Sequence, residues 1–265
     1  WRATALQIRI AHHPPGSETR PGSTRQAGRR GTMPPQRAII FSDFDGTIAK
    51  IDVGDLMYDV FSDGSYVWPD ADWIAGKVSS KQCYLDQCAS TRAEPEELDA
   101  FLDAQELDPG FPPFVEHCRR SGYPVYVLSD GMDYYINRLF RRYGLEELPV
   151  FSNHLEVADG RLVPSFPYFA DTCGRCANCK GPHVRRHAQP DDFVIYLGDG
   201  WSDPCGAQYA DAIFAKGGLQ KWCEQNGRAY YPLTGFEQVL KFVEQLESDG
   251  VLAGAAPGPL GDATT

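Results

Sequence analysis

Apolar residues in this chain fall into short unbroken runs: Ala38-Ile39-Ile40-Phe41, Val125-Tyr126-Val127-Leu128 and Phe193-Val194-Ile195-Tyr196-Leu197. Runs of this length suit strands buried on both faces, where neither side needs polar residues. They predict strands over 37–43, 124–129, 150–153, 193–198 and 212–215. Between them the spacing turns helical. Tyr135, Ile136, Leu139, Phe140 and Tyr143 fall on one face before Gly144, and another helix is expected over 236–246. Within 155–166, Asp159-Gly160 marks a hairpin tip. Strands alternating with helices predict an α/β fold, a parallel sheet with helices on both faces.

The first two strands lie unusually far apart. Residues 52–112 between them read as helical: one helix over 53–61, one capped by Ser79 or Ser80 and running to Cys88, and one over 94–105 behind a Thr91/Glu94 capping box. This is too long for one crossover helix. It is expected to be a helical cap over the carboxyl edge of the sheet, inserted into a core of 37–51 and 113–247. Residues 1–36 are rich in Arg, Pro, Gly, Ser and Thr and are expected to be a disordered extension, with Met33 a candidate natural start. Residues 248–265 are expected to be a flexible tail.

The net charge of −11 hides a split. Residues 1–37 carry seven Arg against one Glu, so the remainder stands at −17. That balance argues against a nucleic-acid partner. No apolar run approaches the ~20 residues of a membrane span. Eight cysteines in 265 residues are too sparse for a secreted disulfide framework, so reduced thiols in a cytoplasmic protein, monomeric or homodimeric, are expected.

Ligands of open α/β sheets bind outside the carboxyl ends of the strands. Three such ends are polar here: Asp43-Phe44-Asp45-Gly46-Thr47, Ser129-Asp130-Gly131 and Gly198-Asp199-Gly200-Trp201-Ser202-Asp203. Together they suit phosphate-ester hydrolysis. Asp43, the first carboxylate past its strand, is the candidate nucleophile, and Asp45 the candidate acid and base. Asp43, Asp45 through its carbonyl, and Asp199 form an oxygen set for Mg2+, with Asp203 behind them. Ser129, Gly131 and a lysine are candidates for the phosphoryl oxygens. Lys180 is the first choice for that cation and Lys216 the rival. The substrate is expected to be a small phosphorylated metabolite.

These motifs resemble those of the haloacid dehalogenase (HAD) superfamily phosphatases: Asp43-x-Asp45-Gly46-Thr47, Ser129, Lys180 and Gly198-Asp199-Gly200-x-x-Asp203, spread over residues 37–246. The resemblance implies an aspartyl-phosphate intermediate, magnesium and a central strand order of 5-4-1-2-3. A helical insert after the first motif is similar to the phosphoserine-phosphatase subclass. Ser129-Asp130-Gly131-Met132-Asp133-Tyr134-Tyr135 and Cys176-Ala177-Asn178-Cys179-Lys180 resemble a narrower group, the methionine-salvage phosphatases of 2-hydroxy-3-keto-5-methylthiopentenyl-1-phosphate. That group tends to read Ser-Gly-Gly at the second motif, and Asp130 departs from it. Phosphoserine, phosphocholine or phosphoethanolamine therefore stay open as substrates, and so does phosphoryl transfer to another alcohol.

Cys173, Cys176 and Cys179 precede Lys180 as C-x2-C-x2-C. A structural zinc site wants four ligands, and His183 or Asp171 could add the fourth. Reduced thiols or a partial disulfide are the alternatives. His183 and His187, one turn apart, are expected on a helix surface. Tyr58, Tyr66, Trp68 and Trp73 could line a substrate pocket, but aromatics of an insert more often pack inside it, and that is expected here. Asp52 and Asp55 either face the site or open the first insert helix.

Overall fold

The computed structural model describes residues 36–169 and 173–253. Seven strands form one sheet: β1 (Arg37–Ser42), β2 (Val125–Met132), β3 (Val150–Ala158), β4 (Arg161–Ser165), β5 (Asp192–Gly198), β6 (Ala212–Ala215) and β7 (Tyr231–Pro232). Their order is β4-β3-β2-β1-β5-β6-β7. The five strands expected from the sequence stand in the order that the resemblance implied, β6-β5-β1-β2-β3. Two short edge strands are additions to it. β4 pairs antiparallel with β3 across the Asp159-Gly160 tip, and β7 extends the parallel sheet beyond β6.

Alternate residues of the central strands serve opposite faces, the period expected of a pleated strand. Ala38 and Ile40 of β1, with Phe193, Ile195 and Leu197 of β5, belong to one apolar core. Ile39 and Phe41, with Val194 and Tyr196, belong to the other. The first core is closed by α5 (Phe111–Ser121), α6 (Asp133–Tyr143) and α10 (Phe236–Ser248). The second is closed by α7 (Lys180–His187), the short α8 (Pro204–Ala207) and α9 (Gly217–Gln225).

Register decides where the chemistry lies. Ser42 pairs with Val127 on one side and Leu197 on the other. Asp43, Ser129 and Asp199, one or two residues further on, therefore share one sheet edge. The β2–β3 register shifts between Leu128 and Met132, so Ser129-Asp130-Gly131 bulges away from the regular ladder.

Residues 52–112 hold α1 (Val53–Phe61), α2 (Asp70–Ile74), α3 (Ser80–Ala89) and α4 (Pro95–Asp103). The chain leaves and re-enters side by side, through an Ala49–Leu107 bridge. Ser79 caps α3 as expected. The Thr91/Glu94 capping box does not form. Pro95 opens α4 with Glu94 at the cap making no side-chain bond, while the Thr91 hydroxyl turns back to the Gln87 carbonyl at 2.7 Å.

Residues 251–253, expected in a flexible tail, pair instead with Gln36: Gln36 N–H donates to Val251 O and Ala253 N–H to Gln36 O. Ser248 ends α10 and Asp249 caps it, while residues 254–265, the expected extension over 1–35 and Met33 lie outside the described residues. Among the described residues no helix is long and apolar enough to cross a membrane.

Candidate active site

Asp43 follows β1 directly and is almost fully buried. Its Oδ1 accepts a 2.5 Å bond from Lys180 Nζ, which also reaches Asp203 Oδ1 at 2.5 Å. Lys180 is wholly buried in the first turn of α7. Burial opposes its charge, yet Asp203 and Asp43 outweigh burial and hold the ammonium above the ordinary lysine range. Burial, more than the negative neighbours Asp203 and Asp199, pushes the Asp43 carboxyl up. Lys180, expected at the phosphoryl oxygens, does not line the cavity at this edge; it grips Asp43 from beneath. Lys216 sits at the N-cap of α9, half-buried.

Asp203 spends its carboxylate on the protein. Oδ1 takes Lys180 and the Tyr196 hydroxyl, and Oδ2 takes the Gly200 N–H. Asp199 differs. Among the described residues the only hydrogen-bond donor to its carboxylate is the Thr47 hydroxyl, at a long 3.4 Å. Burial first, then Asp203, raises its carboxyl to about 6. Asp43, Asp199 and Asp203 place oxygens within 4.8 Å of one another. Three carboxylates and one ammonium leave two negative charges unbalanced. Hard oxygen donors with that deficit fit a divalent magnesium ion. With Asp203 saturated, Asp43, Asp199 and the Asp45 carbonyl are the groups that would hold it. Gly46 makes the approach of Asp199 feasible: its φ is +65°, and a Cβ there would lie 2.3 Å from Asp199 Oδ2.

Asp45 is held differently. Its Oδ1 accepts from the Val53 and Gly54 amides at the start of α1, at 3.0 and 3.4 Å. Its Oδ2 accepts the Tyr135 hydroxyl at 2.6 Å. Burial raises the Asp45 carboxyl to about 6 despite these donors, close to what a proton shuttle at neutral pH needs. Tyr135→Phe is therefore expected to lower kcat by about 10- to 100-fold with KM little changed, because Asp45 keeps its place but loses one of its orienting bonds. Steady-state kinetics at saturating Mg2+ check this; an unchanged kcat would remove Tyr135 from the machinery.

Ser129 Oγ accepts the Gly131 N–H at 2.9 Å and keeps its hydroxyl proton for another partner. Asp130 is buried, and burial raises it to about 6. Asn178 ties this loop to α7: its N–H donates to Asp130 Oδ1, its Nδ2 to the Ser129 and Phe151 carbonyls, and its Oδ1 meets His183 Nε2 at 2.7 Å. His183 is thus no surface residue; it is buried against Phe151 and Tyr168.

Asp43, Asp45, Ser129, Asp130 and Asp199 line a cavity of about 450 Å3. Its outer wall comes from the insert: Asp52, Asp55, Asp59 and Asp70, with Tyr58, Tyr66, Trp68, Trp73 and Tyr84. The four aromatics expected inside the insert therefore face the site. Asp52 does both things anticipated for it, capping α1 through the Asp55 N–H and lining the cavity. None of the described lining residues is Lys, Arg or His.

Two side chains central to this edge lie inside motifs quoted from the sequence but receive no role there. Tyr135 reads as one more apolar position on a helix face, and Asn178 as a loop residue between cysteines.

The fold and motif geometry define a hydrolase class. A profile of the haloacid dehalogenase-like hydrolases matches residues 40–208, and the chain belongs to that family. As an enzyme it is a phosphatase. It is 24% identical over 220 residues to a 2-hydroxy-3-keto-5-methylthiopentenyl-1-phosphate phosphatase of Brevibacillus brevis, covering 82% of this chain and 99% of that one. It is 27% identical over 209 residues to the protein of that name from Bacillus cereus, covering 76% and 93%. Among solved structures, a HAD family hydrolase from Salmonella enterica serovar Typhi superposes with a TM-score of 0.60 at 22% identity, covering 80% of this chain and 72% of that one. A phosphoserine phosphatase described as a phospho-aspartyl intermediate analogue superposes with a TM-score of 0.55 at 18% identity, covering 78% and 99%. At such identities the superpositions speak for the fold.

Proposed function

We propose that the protein is a magnesium-dependent phosphomonoesterase of a small phosphorylated metabolite, working through an aspartyl phosphate on Asp43. The observation that carries this is the division of labour at one sheet edge. One carboxylate is clamped by a buried ammonium, and a second, two residues on, is held by amides and a phenol. The bound magnesium would neutralise charge on the phosphoryl oxygens. The protein's own groups do the rest. Asp43 Oδ2, left free while Lys180 holds Oδ1, attacks phosphorus, and the bond to the leaving oxygen breaks. Asp45 gives that oxygen its proton. As a carboxylate it then takes a proton from water, whose oxygen attacks the same phosphorus. Phosphate departs and the Asp43 carboxylate is restored. Ser129 donates its hydroxyl to the phosphoryl oxygens. Helices α1–α4 act as a cap that excludes water and selects the leaving group.

The relatives' names favour the methionine-salvage enol phosphate as substrate. The cavity wall favours a second choice, an alcohol bearing an amine or quaternary ammonium, such as phosphoethanolamine or phosphocholine. Four insert aspartates offer it negative charge. Trp68 packs edge-on against both Trp73 and Tyr84, with ring centroids 5.8 and 5.1 Å apart, a cluster whose faces can hold a cation.

The test is phosphate release with Mg2+ across the enol phosphate, phosphocholine, phosphoethanolamine and phosphoserine, read as kcat/KM. A preference of at least about tenfold, or about 1.4 kcal/mol, for one class assigns the pocket. Release from none of them, with or without an alcohol acceptor, would overturn the proposal. Transfer to the added alcohol in place of release would favour a phosphotransferase.

A further inference from the structure

Away from the cavity, the structure brings a fourth cysteine to the three of the C-x2-C-x2-C run. The sulfurs of Cys173, Cys176, Cys179 and Cys205 all lie within 4.8 Å of one another. The sequence offers His183 or Asp171 as the fourth ligand. His183 bonds Asn178 instead, and Asp171 lies outside the described residues. The fourth comes from α8, just past Asp203-Pro204. We propose that Cys173, Cys176, Cys179 and Cys205 form a tetrathiolate site for one structural zinc ion, which fastens the loop before Lys180 to the turn that carries Asp203.

Three observations carry this. The first is geometry: four sulfurs at about 2.3 Å from a tetrahedral zinc stand about 3.8 Å from each other, within the spread seen here. All eight cysteines are free thiols, so no disulfide accounts for the cluster. The second is environment. Cys173 is exposed and Cys205 half-exposed, so the group is not simply apolar core. The Cys176 N–H donates to Cys173 Sγ at 3.2 Å, a bond that steadies a thiolate. The third is the packing that delivers Cys205. Gly181, in the first turn of α7, lies so close to α8 that a Cβ there would sit 2.6 Å from the Cys205 carbonyl oxygen. Few other residues would let the two helices meet at that distance.

Four thiolates and tetrahedral sulfur donors select zinc over magnesium or calcium, which take oxygen. Binding releases the thiol protons to solvent and leaves a net charge of −2 on the site. Its place explains its use. Cys179 adjoins Lys180, and Cys205 stands two residues after Asp203. The zinc would join the two segments that hold the Lys180–Asp203 ion pair, and through it Asp43. The connection from Ser165 to Lys180 shows no helix or strand among its described residues, and the zinc would add to the bonds that Arg175 and Asn178 make there.

The experiment is elemental analysis of the full chain purified without chelators, beside Cys205→Ser and Cys173→Ser, with cobalt substitution of the wild type. The expected result is about one zinc per chain. The cobalt form should show tetrahedral thiolate absorption. Zinc affinity should fall by more than about 100-fold in both variants, since losing even a neighbour of a ligand costs 10- to 100-fold. Should Cys205→Ser fail to fold, the exposed Cys173→Ser and the wild-type cobalt spectrum still decide. Zinc-free wild type with freely reactive thiols, a disulfide among the four, iron in place of zinc, or full zinc retention in a folded Cys205→Ser would each overturn the assignment. None of these measurements needs substrate, so they stand apart from the proposed phosphatase chemistry.

Discussion

Asp43→Asn is expected to lower kcat/KM by about 10^4-fold or more, equivalent to about 5.5 kcal/mol of transition-state stabilisation, with the fold intact. The amide has nearly the shape of the carboxylate, so β1 and its turn have no cause to rearrange. In the proposed mechanism, what is lost is the anionic oxygen that would attack phosphorus and one oxygen that would hold the metal. Lys180 would keep Asp203 as its counter-ion at 2.5 Å, so no charge is stranded in the core. Kinetics and thermal melting on one preparation check both halves. Activity within tenfold of wild type would remove Asp43 as nucleophile.

Lys180→Met reverses the emphasis, because here stability should fail as well as activity. The ammonium is fully buried between two carboxylates, and Asp203 is buried as completely. Removing one partner of a buried ionic cluster leaves uncompensated charge, at a cost of about 3–5 kcal/mol. A surface lysine would cost a small fraction of that. Denaturant unfolding should therefore show a loss of several kcal/mol. Adding Asp203→Asn should restore part of it by removing one stranded charge, while activity stays lost because Asp43 is no longer held. Unchanged stability in Lys180→Met would mean that the cluster is not built as described.

The sequence made the sheet legible because its central strands are buried on both faces. Ala38–Phe41 and Phe193–Leu197 have no polar position to blur the pattern. The site followed from that, since Asp43 and Asp199 each come one residue after a strand, and Ser129 sits two residues past the Ser42–Val127 pair, where β2 bulges. Features set by tertiary docking stayed hidden. Tyr135 keeps helical apolar spacing, and only the packing of α6 under the start of α1 aims its hydroxyl at Asp45. Cys205 stands alone in the sequence, and α7 and α8 must meet across Gly181 before it joins the other three. Thr91 and Glu94 have the spacing of a capping box, yet Pro95 opens the helix and the Thr91 hydroxyl closes α3 instead. The insert aromatics show how composition misleads. Trp68 and Trp73 could equally fill a small core, and only their position above the strand ends puts them on the cavity wall.

The claim at the centre is that the Asp43 carboxylate becomes phosphorylated. An acyl phosphate is reduced by borohydride to an alcohol, which would convert Asp43 into homoserine. Enzyme mixed with Mg2+ and its best substrate, quenched during turnover, reduced and digested, should carry that change at Asp43 alone, and only when substrate is present. Reduction at Asp45 or Asp199, or an unmodified Asp43 during rapid turnover, would contradict the account.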